Sequence, residues 1–170
     1  MAGAHVIQFP ELSVVEDKEV LNRDAIKEII PHRDPMLLVD EAKVRVFHSE
    51  QVGEVKKAIG KYKVRGDEWF LKGHFPGNPV VPGVVLCEMM AQACCVLIAD
   101  MEGQQQDMKD KTPYFTGLNN VKFRNKVKAG DTLDIECEIT RIKKPFCFAA
   151  GKGYVDGKLA VSGEFSFALV

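Results

Sequence analysis

The chain lacks a strong excess of charge of either sign. It carries 23 Lys and Arg residues against 24 Asp and Glu residues, which gives a formal net charge of −1 at pH 7. A nearly neutral chain is a poor binder of polyanions over its whole surface. No aromatic residues are interleaved with its basic residues in the way that single-stranded nucleic acids favour. We therefore expect no nucleic-acid partner.

The chain also lacks a recognisable targeting or membrane-spanning segment. Its first residues show no basic region followed by a long apolar run, so no secretory signal is expected. The longest apolar stretch, residues 84–99, is interrupted by Glu88 and Gln92. It is shorter than the roughly 20 mostly apolar residues that a spanning helix requires. The sequence thus predicts a cytoplasmic protein without a membrane partner.

Paired cysteines at metal-ligand spacing are also missing. The chain has 5 cysteines, and Cys94 and Cys95 are adjacent on a predicted helix. We interpret them as small apolar residues in a reducing compartment, although the sequence alone does not exclude disulfides. No metal site is predicted.

What the chain does have is enough apolar residues for one domain. Hydrophobic residues make up 46% of its 170 positions, which suits a single core. Residues 1–21 have weak periodicity and are predicted to form an N-terminal arm that runs over the surface or is flexible. Residues 22–170 are predicted to form the single domain, because no repeat or linker divides them.

Local patterns predict a mixed α and β architecture. A short helix capped by Asn22 or Asp24 is expected to run to Ile30 and stop at Pro31. One long helix over residues 83–100 is apolar on nearly every side and must be covered. Strands are predicted within residues 36–59 with a break near 49–51, a helical turn at 68–71, and further strands at 121–128, 133–140, 146–155 and 159–169. The dipeptide Asp156-Gly157 is typical of a tight hairpin turn. The simplest α+β arrangement is an antiparallel sheet wrapped around the long helix.

The stretch from Gly73 to Glu88 contains two proton-handling groups. His74 lies in a loop stiffened by three prolines, which would hold a base in place. Glu88 lies within the apolar helix, where an unpaired carboxylate costs several kcal/mol. It therefore either faces a polar cleft or has a raised pKa. The alternatives are a structural histidine and a solvent-facing glutamate. Gln92, one turn further on, is placed to hydrogen-bond Glu88 or a ligand.

Three further features have both a functional and an ordinary structural interpretation. Gly83 begins the helix, where free N–H groups suit a carbonyl oxygen that gains negative charge, although Pro82-Gly83 is also common helix punctuation. A face of the predicted strand 121–128 is either simply solvated or a patch for an acidic partner. This face carries Lys122, Arg124, Lys126 and Lys128. His32 is expected to make structural hydrogen bonds.

Three segments together resemble the 3-hydroxyacyl-[acyl-carrier-protein] dehydratases of bacterial type II fatty-acid synthesis. They are residues 30–40 (IPHRDPMLLVD), residues 70–92 with the pattern HFPGxPxxPGxxxxE, and residues 120–124 (NVKFR). The resemblance covers about residues 22–170 and implies a hot-dog fold. It also implies a homodimer whose sites pair His74 of one subunit with Glu88 of the other, often assembled as a trimer of dimers. It implies no metal or organic cofactor.

The resemblance also implies a role for each site residue. His74 removes the C2 proton of a 3-hydroxyacyl thioester carried by acyl carrier protein. Glu88, or a water that it holds, protonates the departing C3 hydroxyl, and the Gly83 N–H polarises the thioester carbonyl. Gln92 and Val80 are implied to support these groups or contact the ligand. Tyr114 would gate the acyl tunnel, and the basic residues 122, 124, 126 and 128 would meet the acidic carrier protein.

Other functions on the same fold remain as alternatives. A bifunctional enzyme would also isomerise the trans-2 product to cis-3, although Glu88 in place of aspartate favours the dehydratase branch. A non-catalytic acyl-thioester-binding protein would need neither His74 nor Glu88. A thioesterase would release a free thiol.

Overall fold

The computed structural model describes residues 12–101 and 110–170. Its strands are β1 (Ser13–Asp17), β2 (Leu21–Asn22), β3 (Glu41–Ser49), β4 (Gly53–Lys63), β5 (Pro113–Phe123), β6 (Thr132–Lys143), β7 (Phe146–Val155) and β8 (Lys158–Leu169). Its α-helices are α1 (Arg23–Lys27) and α2 (Gly83–Asp100), and a short 3₁₀ helix spans Trp69–Leu71.

All strands belong to one antiparallel sheet. Seven of them follow the order β1-β3-β4-β6-β7-β8-β5, and β2 pairs with β3 beside β1. The β7–β8 hairpin turns at Asp156 and Gly157, whose φ values of 48° and 74° are those of the predicted tight turn. Among residues 12–101 and 110–170, β1 and β5 are the two edge strands of the sheet. The predicted antiparallel sheet is confirmed.

The long helix α2 occupies the core, as its composition predicted. Its residues from Val85 to Ile98 are buried with the exception of Glu88, and the inward faces of β3, β4, β6, β7 and β8 cover it. Glycine permits a close approach of β4 to α2, because a Cβ built on Gly60 would lie 3.1 Å from the Cβ of Ala93. By length and composition α2 could cross a membrane, but 72% of it is buried inside the fold, as in the core helix of a soluble protein.

Helix α1 begins where the sequence predicted and ends earlier. Asn22 is its N-cap, and its Oδ1 accepts a hydrogen bond from the Ala25 N–H at 3.0 Å. The helix ends at Lys27 instead of Ile30, because the following residues continue as turns. Ile26 and Ile30 are nevertheless buried in the core.

The predicted strand over residues 121–128 is wrong in its second half. β5 starts at Pro113 and ends at Phe123, because the N–H groups of Arg124 and Asn125 both donate to the carbonyl of Ala160. Buried Val127 then accepts a hydrogen bond from the Val81 N–H at 2.8 Å. Val127 is the one buried residue among residues 124–128. It gives this stretch the alternation of a strand although no strand forms there.

Residues 12–21 of the predicted arm add secondary structure to the sheet. Ser13–Asp17 forms the exposed edge strand β1 against β3. Lys43 and Arg45 of β3 bind Asp17 at 2.7 and 3.1 Å. These hydrogen bonds and the nearby positive charges lower the pKa of Asp17 to about 2. The boundary predicted at residue 22 therefore lies within β2.

Candidate active site

The loop that follows the 3₁₀ helix fixes His74 through its own backbone. The His74 N–H donates to Leu71 O at 3.1 Å, and the His74 carbonyl accepts from the Val80 N–H at 2.8 Å. The ring also stacks on Phe75, with centroids 4.1 Å apart. His74 is half-buried, so these contacts hold it while part of the residue stays accessible.

The hydrogen bond of the His74 ring selects its tautomer. Nδ1 lies 2.7 Å from the carbonyl oxygen of Val80. A carbonyl oxygen can only accept, so Nδ1 carries the hydrogen, and Nε2 of the neutral ring keeps its lone pair. His74 is therefore arranged as a proton acceptor, and Val80 orients it through its main chain.

Gly83 faces the same cleft as His74. The N–H groups of Val85 and Leu86 donate to Pro82 O, whereas the first N–H groups of any helix have no partner within it. A Cβ at Gly83 would lie 2.6 Å from the ring of Phe123. His74, Val80, Gly83, Phe123, Arg124 and Lys126 are among the residues that line this cleft of about 520 Å³. The cleft thus combines a base, a helix N-terminus and cationic side chains.

Glu88 is partnered by polar side chains and not left alone among apolar ones. Its Oε1 accepts a hydrogen bond from Gln92 Nε2 at 2.8 Å and lies 3.4 Å from Nε2 of His32. Its side chain is 22% exposed. Of the two alternatives drawn from the sequence, the structure is nearer the first, because Glu88 has polar partners in a cleft whose other walls are largely apolar.

The balance of burial and hydrogen bonding lowers the pKa of Glu88. Burial acts to raise it, but hydrogen bonding to His32 and Gln92 and the charge of His32 together outweigh that effect. The raised pKa considered as the other alternative is therefore not found. In the free protomer, the carboxyl group is ionised at neutral pH.

Gln92 connects Glu88 to a distant part of the chain. It is fully buried, donates from Nε2 to Met36 O at 2.7 Å, and accepts at Oε1 from the Leu38 N–H at 2.7 Å. The segment 31–38 is thereby fastened to α2. The predicted partnership between Gln92 and Glu88 is present, and its link to residues 36 and 38 was not foreseen.

His74 and Glu88 line different clefts of one protomer. The Glu88 cleft, about 40 Å³, is bordered by His32, Ala91, Gln92, Cys95, Pro113, Phe115 and Phe167. Phe115 lines it, whereas Tyr114 lies beside it on β5 with 58% of its surface exposed.

The four basic residues singled out in the sequence are all exposed, and two of them, Arg124 and Lys126, border the His74 cleft. The other two are Lys122 and Lys128.

His32 is the site residue that sequence reasoning assigned only a structural role. It follows Pro31 in a segment without regular secondary structure, and its contact with Glu88 spans 56 positions of the chain, which no local pattern reports. The only signal was a histidine inside the segment 30–40 that carries the family resemblance. Among residues 12–101 and 110–170, no group of three or more His, Cys, Asp or Glu side chains is placed to hold a metal ion.

The fold is that of a hot-dog protein, with a histidine in one cleft and a glutamate in another. The FabA-like domain family matches residues 30–164, so the chain belongs to that family. The 3-hydroxyacyl-[acyl-carrier-protein] dehydratase FabZ of Clostridium beijerinckii is 44% identical over 151 residues, covering 88% of this chain and 99% of the relative. The FabZ dehydratase of Aliarcobacter butzleri is 43% identical, covering 85% of this chain and 95% of the relative.

A solved structure supports the fold independently. The dehydratase heterocomplex ApeI:P from Xenorhabdus doucetiae superposes with a TM-score of 0.65 at 22% sequence identity, over 85% of this chain and 90% of that one. The predicted hot-dog architecture is confirmed.

Proposed function

We propose that this chain is a hydro-lyase that converts 3-hydroxyacyl-[acyl-carrier-protein] to trans-2-enoyl-[acyl-carrier-protein] and water in fatty-acid elongation. The observation that carries the proposal is the His74 ring, whose Nδ1 is held by Val80 O at 2.7 Å so that Nε2 is free to accept a proton. The identity of 44% with a FabZ dehydratase supplies the substrate class.

The reaction begins at C2 of the acyl chain. Nε2 of His74 accepts the C2 proton, and the electron pair moves onto the thioester carbonyl. The Gly83 N–H at the positive end of α2 stabilises the resulting enolate-like oxygen. The C3–O bond then breaks, and Glu88, or a water that it holds, gives the departing oxygen a proton, so that water leaves.

Glu88 needs a proton for this step although its pKa is lowered in the free protomer. Burial is the opposing effect, and it grows when a second protomer and an acyl chain cover the cleft. Additional burial disfavours the ionised carboxylate and raises its pKa towards the range of a general acid. The site is thus completed by assembly and by substrate.

Assembly joins the two clefts in the proposed dimer. β5 is an edge strand with exposed apolar side chains at Tyr114, Phe115, Leu118 and Phe123, and exposed Val84 lies at the start of α2. An unpaired edge of this kind favours pairing with another strand. A second copy at this edge would bring His74 of one protomer to Glu88 of its partner. A trimer of such dimers is the larger assembly proposed.

The carrier protein would approach the His74 cleft. Arg124 and Lys126 border that cleft, and Lys122 and Lys128 extend the positive charge around it. Cations so placed steer an acidic partner and its phosphopantetheine phosphate towards the site. The acyl tail would continue into an apolar tunnel beside α2, with exposed Tyr114 at its gate. A cytoplasmic location accords with this substrate.

Complementation between two inactive variants tests the shared site. If each site takes His74 from one subunit and Glu88 from the other, a mixed dimer of His74→Ala and Glu88→Gln subunits has one intact site and one doubly altered site. Random mixing should then restore about a quarter of wild-type turnover. The measurement is loss of enoyl-thioester absorbance in the hydration direction or its gain in dehydration.

Each variant alone and a mixture of separately purified, unexchanged homodimers are the controls. Both should remain inactive. No recovery in verified mixed dimers would show that each site lies within one chain. A wild-type protein that forms no enoyl thioester, or that releases free thiol instead, would overturn the proposed function. Chromatography of the product should show the trans-2 isomer alone.

A further inference from the structure

His32 and Glu88 form a half-buried polar contact that the elimination chemistry above does not use. His32 Nε2 lies 3.4 Å from Glu88 Oε1, and only 19% of the His32 side chain is exposed. The contact is long for a hydrogen bond, but contacts of catalytic groups often tighten only when substrate is bound.

The two ring nitrogens of His32 differ in their surroundings. Nδ1 is buried and has no hydrogen-bond partner among the described residues. A hydrogen on Nδ1 alone would leave a buried donor unpaired and would turn the Nε2 lone pair towards a carboxylate oxygen. A hydrogen on Nε2 avoids both costs. The tautomer with the hydrogen on Nε2 is therefore favoured, and Nε2 is the ring nitrogen that lies 3.4 Å from Glu88 Oε1.

The two oxygens of Glu88 are also unequal. Oε1 receives Gln92 Nε2 at 2.8 Å and faces His32 Nε2. Oε2 has no hydrogen-bond partner among residues 12–101 and 110–170. The cleft beside it, about 40 Å³, is large enough for one water or one hydroxyl group. One oxygen is held and the other is available for chemistry.

The segment that carries His32 is firmly attached. Arg33 Nη1 donates to the carbonyls of Ile30 and His32 at 2.9 and 2.8 Å. Pro35, further along the same segment, accepts a hydrogen bond at its carbonyl from Trp69 Nε1 at 3.2 Å. Gln92 binds residues 36 and 38 of this segment. A histidine on such a support is suited to hold another side chain in one orientation.

We infer that His32 is a positioning residue for Glu88. Its Nε2–H and the Gln92 amide hold Oε1, so that Oε2 faces the cleft and exchanges the proton with the C3 hydroxyl. This inference rests on the proposed function for its catalytic consequence. Its structural content, a contact with His32 that lowers the pKa of Glu88, does not depend on that function.

The groups that face Glu88 restrict what a pH profile can report. From α2 these are Gln92 and the thiols Cys87 and Cys95, from the 31–38 segment His32, and from β5 and β8 the apolar Pro113, Phe115 and Phe167. Burial and then the charge of Glu88 raise the pKa of Cys95, and the same effects raise that of Cys87. Both thiols stay neutral, so a limb near or below neutral pH reports Glu88 or a histidine.

The test compares two substitutions at position 32. His32→Leu fills the space without a donor, whereas the amide of His32→Gln reaches about as far as Nε2. His32→Leu should lower kcat on the order of 10-fold or more with little change in KM, because the reacting oxygen is no longer oriented. His32→Gln should recover most of that loss. His48→Leu, an exposed histidine on β3, is the matched control and should resemble wild type.

The pH profile separates positioning from space filling. The limb of kcat/KM whose midpoint agrees with the pKa of the Glu88 carboxyl group, measured by carbon-13 NMR, belongs to Glu88. Because His32 acts to lower the pKa of Glu88 through both a donor and its charge, that limb should move to higher pH in His32→Leu and return only in part in His32→Gln, whose amide supplies the donor alone. Equal losses in both variants with an unmoved limb would overturn the inference, as would a fully active His32→Leu protein.

Carbon-13 NMR titration of the Glu88 carboxyl group gives a second readout that needs no activity. The Glu88 pKa should be higher in His32→Leu than in wild type, and an unchanged pKa would reject the contact. If wild type shows no dehydratase activity, the proposed function fails while this titration still decides the role of His32. Should His32→Leu not fold, His32→Asn, whose amide is too short to reach Oε1, replaces it.

Discussion

The two halves of the proposed site are built in different ways. His74 takes its ring orientation from the carbonyl of Val80, 6 positions away in the same loop. Glu88 takes its orientation from Gln92, which is itself bound to Leu38, 54 positions away. The base is held by local backbone, and the carboxylate is held by a contact between distant parts of the chain.

This difference has a consequence for protonation. A ring whose Nδ1–H is fixed by a main-chain carbonyl keeps its tautomer whatever the neighbouring side chains are. A carboxylate whose pKa depends on burial, His32 and Gln92 responds to every change in those groups. The His74 half is therefore robust, and the Glu88 half is adjustable.

The largest expected effect is that of removing the base. His74→Ala should lower kcat by about 10³-fold or more, because His74 is the one imidazole among the described residues that line that cleft. The stability should change by less than about 1 kcal/mol, because the lost bond is a single hydrogen bond of a half-buried ring. Turnover and urea unfolding measure the two quantities.

His48→Ala serves as the control for loss of an imidazole. A His74→Ala protein with normal turnover would remove His74 from the mechanism. A protein that lost activity only because it unfolded would show that the loop depends on its side chain, contrary to the local construction described above.

The second-largest expected effect is a loss of both stability and turnover. Gln92→Leu leaves the Leu38 N–H and the Met36 carbonyl without their partner, which should cost about 2–4 kcal/mol of unfolding free energy. It also releases Glu88, so turnover should fall and the Glu88 limb should move to higher pH, since Gln92 helps to lower that pKa. Urea unfolding and pH–rate profiles provide the measurements.

Gln51→Leu, at an exposed turn between β3 and β4, is the matched control. Its stability should be close to that of wild type. If Gln92→Leu were as stable as the control, the hydrogen bonds that attach segment 31–38 to α2 would not be what holds Glu88 in place.

The smallest effect concerns the surface beside the His74 cleft. The double variant Arg124→Glu and Lys126→Glu should raise KM for a carrier-protein substrate about 5- to 10-fold at low salt and less at high salt. KM for the same acyl chain on a short pantetheine thioester should not change. Lys152→Glu, on the outer face of the sheet, is the control.

An equal loss with both substrates would mean that the two basic residues act within the cleft itself. No loss with either substrate would place the carrier-protein surface elsewhere. Both results would leave the comparison of His74 with Glu88 intact. The side chains of Arg124 and Lys126 make no hydrogen bond with Val80 O or Gln92 in the structure.

The features that depend on residues close together in the chain were predictable from sequence. The apolar composition of residues 83–100 predicted α2 with the bounds observed, and Asp156-Gly157 predicted the β7–β8 turn. The loop around His74 was predicted to be stiff from its prolines. Errors arose where a tertiary contact overrides the local pattern, as at residues 124–128, where hydrogen bonds to Ala160 end β5.

The amino-acid sequence by itself determined the central helix, the alternation of the strands around it and the presence of a histidine and a glutamate at its beginning. These follow from side-chain size, polarity and short-range backbone preference. Only the tertiary structure decided that Glu88 would be ionised and held by His32 and Gln92, and that His74 would line another cleft of the protomer. The reason is physical: the pKa of a carboxyl group and the direction of its oxygens depend on which groups surround it in space, and His32 reaches Glu88 only after the sheet has closed around α2.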